Sequence, residues 1–149
     1  MLKCAVFLIL TKIENNKEYV LLQRRYNTGI LDGKYDVSCS GHLEKGETLK
    51  EAMIRETKEE LGIELTKEDL LYVSTIHTDF GDDEYILITF SANKFKGNTA
   101  IMEKDKCDDL KWVLLDELPN NIIDTRQIMI ENYIKNNSYS EYGFDKFKI

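Results

Sequence analysis

The sequence predicts a mixed protein of the α+β or α/β-sandwich class. Runs of β-branched and aromatic residues, each bounded by turn residues, recur along the chain. Two helical segments are separated by several of these runs, which is typical of helices packed on a sheet. At 42% hydrophobic residues, the 149-residue chain can bury one substantial core. Its length and the lack of a linker-like segment predict a single domain over residues 1–149.

The predicted elements follow from local signals along the chain. The apolar run from Cys4 to Leu10 predicts a buried strand, and "ENNK" is typical of a hairpin turn. Residues 25–36 predict a loop, because "RYNTGILDGKYD" is rich in Gly, Asn and Asp. The predicted strands are 2–11, 18–24, 37–40, 70–77, 84–95 and 110–115, and the predicted helices are 48–61 and 124–136. We expect the tail, 136–149, to be weakly structured or docked on the surface.

Charge and cysteine usage exclude several classes of protein. Acids outnumber bases 27 to 20, giving a formal charge of −7, whereas nucleic-acid-binding domains usually carry a basic face. We therefore expect no nucleic-acid partner. Cys4, Cys39 and Cys107 are far apart and predict neither a zinc site nor a disulfide framework. Free thiols are typical of a reducing cytosol.

No segment predicts a membrane span or a secretion signal. The apolar run at the N-terminus is too short to cross a bilayer, and no small-residue cleavage pattern follows it. We therefore expect a cytoplasmic protein with no membrane partner. The sequence leaves open whether two copies of the chain form a homodimer.

The helix predicted over 48–61 carries glutamates where its apolar stripe should continue. Thr48 and Glu51 form a capping-box pattern at its start, and Gly62 is a favourable residue just past its end. At 100° per residue, one stripe contains Leu49, Ala52, Met53, Glu56, Glu59 and Glu60, and a second apolar flank contains Ile54, Thr57 and Leu61. A solvated Glu/Lys-rich face is the common alternative, but such a face should lie opposite the apolar stripe.

A bound cation would explain why carboxylates cluster on that stripe. Neighbouring carboxylates repel one another, and partly buried charges without partners cost on the order of several kcal/mol. A hard divalent cation relieves both problems, since Mg²⁺ prefers oxygen ligands and bridges to phosphates. The helix therefore predicts a Mg²⁺ or Mn²⁺ site in its C-terminal half.

The stretch from Gly41 to Ile63 resembles the Nudix box, G-x5-E-x7-R-E-U-x-E-E-x-G-U, in which U is a bulky apolar residue. Every fixed letter occurs at its spacing: Gly41, Glu47, Arg55, Glu56, Glu59, Glu60 and Gly62. Thr57 stands at the first U, a departure that concerns packing more than chemistry. "YVLLQRR" and "LKWVLLDELP" resemble segments that precede and follow the box in this family. The resemblance implies the Nudix fold, a mixed β-sheet between helices with the box helix against one face.

Nudix enzymes cleave a nucleoside diphosphate linked to another moiety, using divalent metal and water. By this resemblance Glu59 and Glu60 would ligate Mg²⁺ or Mn²⁺, and Glu56 would be a further ligand or the base that activates water. The backbone carbonyl of Ser40 would be an additional ligand. The sequence does not decide which glutamate is the base, because the acids titrate as a coupled set.

The resemblance also implies supporting roles. Arg55 would orient Glu47 through an ion pair, and Gly41 and Gly46 would permit the tight loop that aims these groups. Family members often recruit one more carboxylate from a distant loop, and Glu103 is our first choice. The rivals are Asp82, Asp83 and Glu84, and a solvated loop acid is the alternative interpretation of all four. The predicted catalytic residues are thus Arg55, Glu56, Glu59 and Glu103, with Gly41, Glu47 and Gly62 as orienting residues.

Substrate contacts are less specifically indicated. Arg24 and Arg25 are candidates for phosphate binding, but adjacent strand residues face opposite ways, so at most one faces the site. A surface ion pair is the alternative for each. His42 is a candidate donor to a phosphate oxygen, or a loop hydrogen-bonding residue. Phe80 and Tyr85 are next to loops that could wall a base pocket, where stacking would not identify the base.

The most economical function is a metal-dependent pyrophosphohydrolase that converts a (d)NTP to a nucleoside monophosphate and pyrophosphate. An ADP-ribose or nucleotide-sugar pyrophosphatase is the first alternative, and the small size of the chain weighs slightly against it. A non-catalytic nucleotide-sensing Nudix module is the second. Such modules usually lose box carboxylates, and here all are present.

Overall fold

The computed structural model describes residues 2–145, which form a mixed β-sheet and two α-helices. The strands are β1 (Leu2–Glu14), β2 (Lys17–Arg25), β3 (Tyr35–Asp36), β4 (Cys39–His42), β5 (Leu71–Asp79), β6 (Glu84–Ala92), β7 (Cys107–Leu114) and β8 (Tyr139–Tyr142). The helices are α1 (Leu49–Leu61) and α2 (Asp124–Lys135), and a short 3₁₀ helix spans Lys67–Asp69. None of the helices in residues 2–145 is long and apolar enough to cross a membrane.

The long strand β1 organises the sheet. Its first part pairs in parallel with β6 and antiparallel with β4, whereas its end, Thr11–Glu14, pairs with β2. The strand order is β3-β2-β1-β6-β5-β8, with β4 beside β1 and β7 beside β2. Asn15 and Asn16 have φ angles of 53° and 62° in the β1–β2 turn. Two positive φ angles match the right-handed twist of a hairpin, which explains the "ENNK" signal.

Alternate residues of β1 face two separate core layers. Val6, Leu8 and Leu10 pack on the α1 side, and Ala5, Phe7 and Ile9 on the α2 side. Met53 of α1 packs in the first layer, and Met129 of α2 packs in the second. The sheet therefore lies between two helices, and the predicted fold class is confirmed.

The prediction for the tail, residues 136–149, is wrong over part of that segment. Asn136 ends α2 in a left-handed conformation, φ 54°. The Ser138 carbonyl then accepts a hydrogen bond from the Thr75 amide, 2.9 Å, and β8 continues in parallel beside β5. A strand thus replaces the expected surface segment, because the edge of β5 supplies the backbone partners. Residues 146–149 of that prediction lie outside the described residues.

Other boundaries shift for local reasons. The strand predicted over 37–40 is displaced to β4, since the Ser38 hydroxyl donates to the Leu21 carbonyl and accepts the Leu10 amide at that point. Part of the predicted loop forms β3. The strand predicted over 84–95 ends at Ala92, and the 3₁₀ helix before β5 was not predicted.

A buried ion pair ties α2 to the sheet. The Asp36 carboxylate on β3 is fully buried and accepts a hydrogen bond from Arg126 Nε of α2 at 2.8 Å. Arg25 Nη1 lies 3.4 Å from the same carboxylate. The Arg126 guanidinium also lies over the Phe7 ring, 4.5 Å from its centroid. Two arginines therefore depend on one buried acid.

Replacing Asp36 with Asn should destabilise the fold by about 3 kcal/mol or more, because two arginines lose their shared anion. Urea unfolding followed by circular dichroism measures this loss. Asp108→Asn is the matched control, since Asp108 pairs with Arg24 at 2.7 Å on the surface. Loss of that exposed pair should change the stability little, because solvent screens it. If Asp36→Asn and Asp108→Asn lost equal free energy of unfolding, the buried Asp36 would not have the stabilising role assigned to it.

Candidate active site

Helix α1 is fixed at both ends by caps. The Thr48 hydroxyl accepts the Glu51 amide at 3.2 Å, and the Glu51 carboxylate accepts the Thr48 amide at 2.9 Å. Gly62 follows the helix at φ 73°, and its amide donates to the Lys58 carbonyl. A residue with a side chain would be strained at this φ angle. Both predicted caps are present. They determine where α1 begins and ends, and therefore where its glutamates lie around the helix.

The buried face of α1 differs from the predicted stripe at Glu59. Its buried residues are Ala52, Met53, Thr57 and Leu61. The Thr57 hydroxyl donates to the Met53 carbonyl at 2.7 Å, which allows a polar residue at an apolar position of the box. The Glu59 side chain is 55% exposed, so its place on the core stripe was wrong. Glu56 and Glu60 do turn inward.

Arg55 connects the acids of the site. Its Nε and Nη2 donate to the two carboxylate oxygens of Glu47 at 2.7 and 2.9 Å, the expected ion pair in bidentate form. Its Nη1 donates to Glu56 at 2.8 Å and lies 3.4 Å from Glu59, and Nη2 also donates to the His42 carbonyl at 3.1 Å. The Arg55 hydrogen bonds, followed by the Glu44 amide, lower the pKa of Glu47 to about 2.

Gly41 is required by a close contact rather than by a tight loop. It lies within β4, and a β-carbon there would come within 2.6 Å of Glu56 Oε1 and closer still to the carbons of that side chain. The expectation that Gly41 permits a tight loop was therefore wrong. Gly46, at φ 88°, is the glycine that serves the turn before α1.

Glu60 lies inward against Glu56, Cys39 and β2. Burial, and then the adjacent Glu56 carboxylate, raise the pKa of Glu60 well above its ordinary range. Gln23 Nε2 of β2 donates to Glu60 Oε1 at 3.3 Å. Sequence reasoning missed Gln23, although the alternation of β2 places it on the same face as the buried Leu21, which packs in the α1 layer.

The donors in this cluster are all oxygens. The Ser40 carbonyl belongs to β4 directly before Gly41, where Glu56 packs. Two inward carboxylates side by side favour a shared cation, and oxygen donors suit Mg²⁺ or Mn²⁺. Among residues 2–145, no three His, Cys, Asp or Glu side chains converge into a metal cage. Instead, Arg55 binds Glu56 and Glu59, and Gln23 binds Glu60.

Glu103 lies next to the C-terminal end of α1. The Met102 amide donates to the Glu60 carbonyl at 3.2 Å, which docks this segment on the helix. The Glu103 carboxylate itself lies 3.6 Å from Lys106 Nζ rather than among the box acids. Of its rivals, Asp83 pairs with Lys3, and Glu84 lies 3.0 Å from a ring nitrogen of His77.

The two arginines of β2 are engaged in other contacts. Arg24 Nε donates to Asp108 at 2.7 Å. Arg25 pairs with Asp36 and also donates to Thr28 Oγ1 at 3.2 Å, holding the loop after β2. The structure thus places both arginines in ion pairs and not beside the carboxylates of α1.

The remaining candidates come together in an aromatic group beside β4. A ring nitrogen of His42 lies 3.4 Å from the Tyr85 hydroxyl. The rings of Tyr85 and Phe80 are 6.0 Å apart in an edge-to-face arrangement. Tyr142 of β8 joins the group through Phe80, with ring centroids 6.3 Å apart. Sequence reasoning missed Tyr142, because it lies in the segment that was not expected to form a strand.

Comparison with known proteins identifies the family. A model of the NUDIX domain matches residues 2–133, and the chain belongs to this family. An uncharacterized Nudix hydrolase of Clostridium acetobutylicum is 28% identical over 144 residues, covering 91% of this chain and 68% of the relative. The nucleoside triphosphatase NudI of Salmonella agona is 31% identical over 114 residues, covering 71% of this chain and 79% of the relative.

A solved structure agrees with the fold. The MutT NUDIX hydrolase from Burkholderia pseudomallei has a TM-score of 0.77 to this chain at 22% identity, covering 89% of this chain and 98% of that one. The family match and the similarity to NudI, rather than this structure, identify the chain as a Nudix-type pyrophosphohydrolase. Nudix hydrolases are generally dependent on divalent metal, which fits the oxygen donors described above.

Replacing Gln23 with Leu should lower kcat/KM about 10-fold or more, because Glu60 loses a hydrogen bond in a buried position. Steady-state hydrolysis at several Mg²⁺ concentrations measures the effect. Gln127→Leu is the matched control, since Gln127 also donates to a glutamate, Glu131, at 3.4 Å but on the exposed side of α2. Equal activity in the two variants would show that the Gln23 contact is unimportant.

The Glu47–Arg55 pair should make the fold sensitive to acid. The pKa of Glu47 is lowered from 4.5 to about 2 in the folded chain, so its stabilising effect is complete above pH 4.5 and is lost as the pH falls toward 2. Glu47→Gln should therefore lose less thermal stability than the wild type over that pH range. Circular dichroism melts test this, with the exposed Glu68→Gln as control. The prediction would be contradicted if the melting temperature of Glu47→Gln fell with pH as steeply as that of the wild type.

Proposed function

We propose that this chain hydrolyses nucleoside triphosphates, (d)NTPs, to a nucleoside monophosphate and pyrophosphate. The observation that carries the proposal is the cluster around Arg55, which gathers Glu47, Glu56 and Glu59. The similarity to a nucleoside triphosphatase supports a triphosphate substrate. Every acid of the box is present, which favours catalysis over nucleotide sensing.

Each residue has a distinct task in this proposal. Glu56, Glu59, Glu60 and the Ser40 carbonyl would hold Mg²⁺ or Mn²⁺, which when bound supplies positive charge for the phosphate oxygens and lowers the pKa of water. Arg55 positions Glu56 and Glu59 and is itself fixed by Glu47, so it need not touch the substrate. Gly41 leaves the space that Glu56 occupies.

A carboxylate of this cluster accepts the proton of the attacking water. Glu56 is our choice for this base, since Arg55 orients its carboxylate at 2.8 Å and it packs against Gly41, next to the Ser40 carbonyl. Glu103 is the candidate for a further acid, because its segment docks on the end of α1. Arg24 and Arg25 have no phosphate-binding role in this proposal. The cytoplasmic location stays a prediction.

The proposal is tested with a hydrolysis panel in Mg²⁺ and in Mn²⁺. Purified protein is offered unmodified and oxidised (d)NTPs, ADP-ribose, nucleotide sugars and dinucleoside polyphosphates, and the products are separated by ion exchange. We expect pyrophosphate from one or more (d)NTPs. Glu60→Gln should lower this turnover about 100-fold or more, as expected for a group that supports the transition state. The exposed Glu68→Gln is the matched control.

Two outcomes would overturn the proposal. Turnover of ADP-ribose or nucleotide sugars without turnover of (d)NTPs would assign the first alternative substrate class. Nucleotide binding without metal-dependent turnover of any compound in the panel would assign a sensing module.

A further inference from the structure

Four ring-bearing side chains form a continuous surface on the α2 side of the sheet. This aromatic surface consists of His42, Phe80, Tyr85 and Tyr142. Successive ring centroids lie 6.0 Å apart for His42–Tyr85 and Tyr85–Phe80, and 6.3 Å for Phe80–Tyr142. Phe80 is 48% exposed although it contacts two other rings. Its open face is therefore available to a planar ligand.

Strand register explains why these rings share one face. Tyr85 of β6 pairs with Thr78 of β5, and Thr78 pairs with Tyr142 of β8. Paired residues point to the same side of a sheet, so the two tyrosines flank the small buried Thr78. Phe80 follows Thr78 by two residues and contacts both tyrosines. The small Thr78 side chain therefore lies at the centre of the surface, and the larger aromatic rings surround it.

The C-terminal segment is built to bring Tyr142 to this position. Gly143 has a φ angle of 89°, and a β-carbon there would overlap the carbonyl oxygen of Asp79 at the end of β5. Only glycine allows the chain to approach so closely at this φ angle. The Tyr142 hydroxyl also donates to Asp124 of α2 at 3.3 Å, in an exposed position.

The aromatic surface is continuous with the active site. His42 follows Gly41 directly, and its carbonyl accepts a hydrogen bond from Arg55 at 3.1 Å. Its ring then lies 3.4 Å from the Tyr85 hydroxyl. A nucleotide whose phosphates reach the acids of α1 could therefore place its base along these rings.

We propose that strand β8 supplies part of the substrate-binding surface, with Tyr142 and Phe80 stacking against the nucleobase. This inference rests on the proposed function and identifies how its substrate is held. Aromatic stacking tolerates any base, since every base has a π face. The surface therefore selects nucleotides over diphosphates without a planar group, and it treats purines and pyrimidines alike.

The test compares three variants in β8. Tyr142→Leu removes the ring, Tyr142→Phe keeps the ring without the hydroxyl, and Tyr139→Leu is the matched control. Tyr139 lies on the same strand, is 51% exposed and faces the opposite side of the sheet, three residues from Tyr142. Binding of a non-hydrolysable α,β-methylene dNTP is measured by calorimetry in Mg²⁺, beside KM and kcat. Thermal melts verify that each variant folds.

We expect Tyr142→Leu to weaken analogue binding about 5-fold to 100-fold for all four bases, with kcat little changed. Tyr142→Phe should bind like the wild type, as should Tyr139→Leu. Wild-type affinity in Tyr142→Leu would overturn the inference, as would equal losses in Tyr142→Leu and Tyr139→Leu. If Tyr142→Leu fails to fold, Phe80→Leu takes its place with the same two criteria. Because the readout is binding, an inactive wild type would overturn the proposed function alone.

Discussion

The guanidinium of Arg55 holds together acids that would otherwise repel one another, and the geometry of the site depends on it. Its two hydrogen bonds to Glu47 fix its own orientation, so that Nη1 is directed at Glu56 and Glu59. Arginine suits this task because its planar fork binds a carboxylate in bidentate geometry while leaving further donors. One side chain of α1 thereby defines the positions of three acids before any cation is bound.

The sheet supplies the complementary half of the site. Gly41 on β4 leaves room for Glu56, and Gln23 on β2 donates to Glu60. These two strands lie on different parts of β1, which pairs with β4 near its start and with β2 near its end. The length of β1 therefore matters for function, since it places both contacts under the same face of α1.

The opposite face of the sheet carries the aromatic surface, and it belongs to a different structural layer. His42 comes directly after Gly41, so the chain passes from the acidic cluster to the first aromatic ring within one residue. Under the function and the base-stacking role proposed above, phosphate binding and base binding fall on the two sides of β4.

Much of the site could be predicted because its signals are local. The caps of α1 and the spacing of the box acids are set by neighbours within a few residues, and their helical register follows from 3.6 residues per turn. The inward turn of Glu56 and Glu60 followed from that register. The exposure of Glu59 did not follow from that register. At 100° per residue its side chain falls at the edge of the stripe, where only the packed neighbours decide how exposed it is.

The sequence by itself determined the fold class, the family resemblance, the two caps of α1 and the set of acids. Tertiary structure alone decided that Gly41 is needed for space, that Gln23 reaches Glu60, that both arginines of β2 are paired, and that the tail forms β8. Each of these joins residues far apart in the chain. Such contacts depend on strand register and on which edge remains open, and neither is encoded in a local pattern.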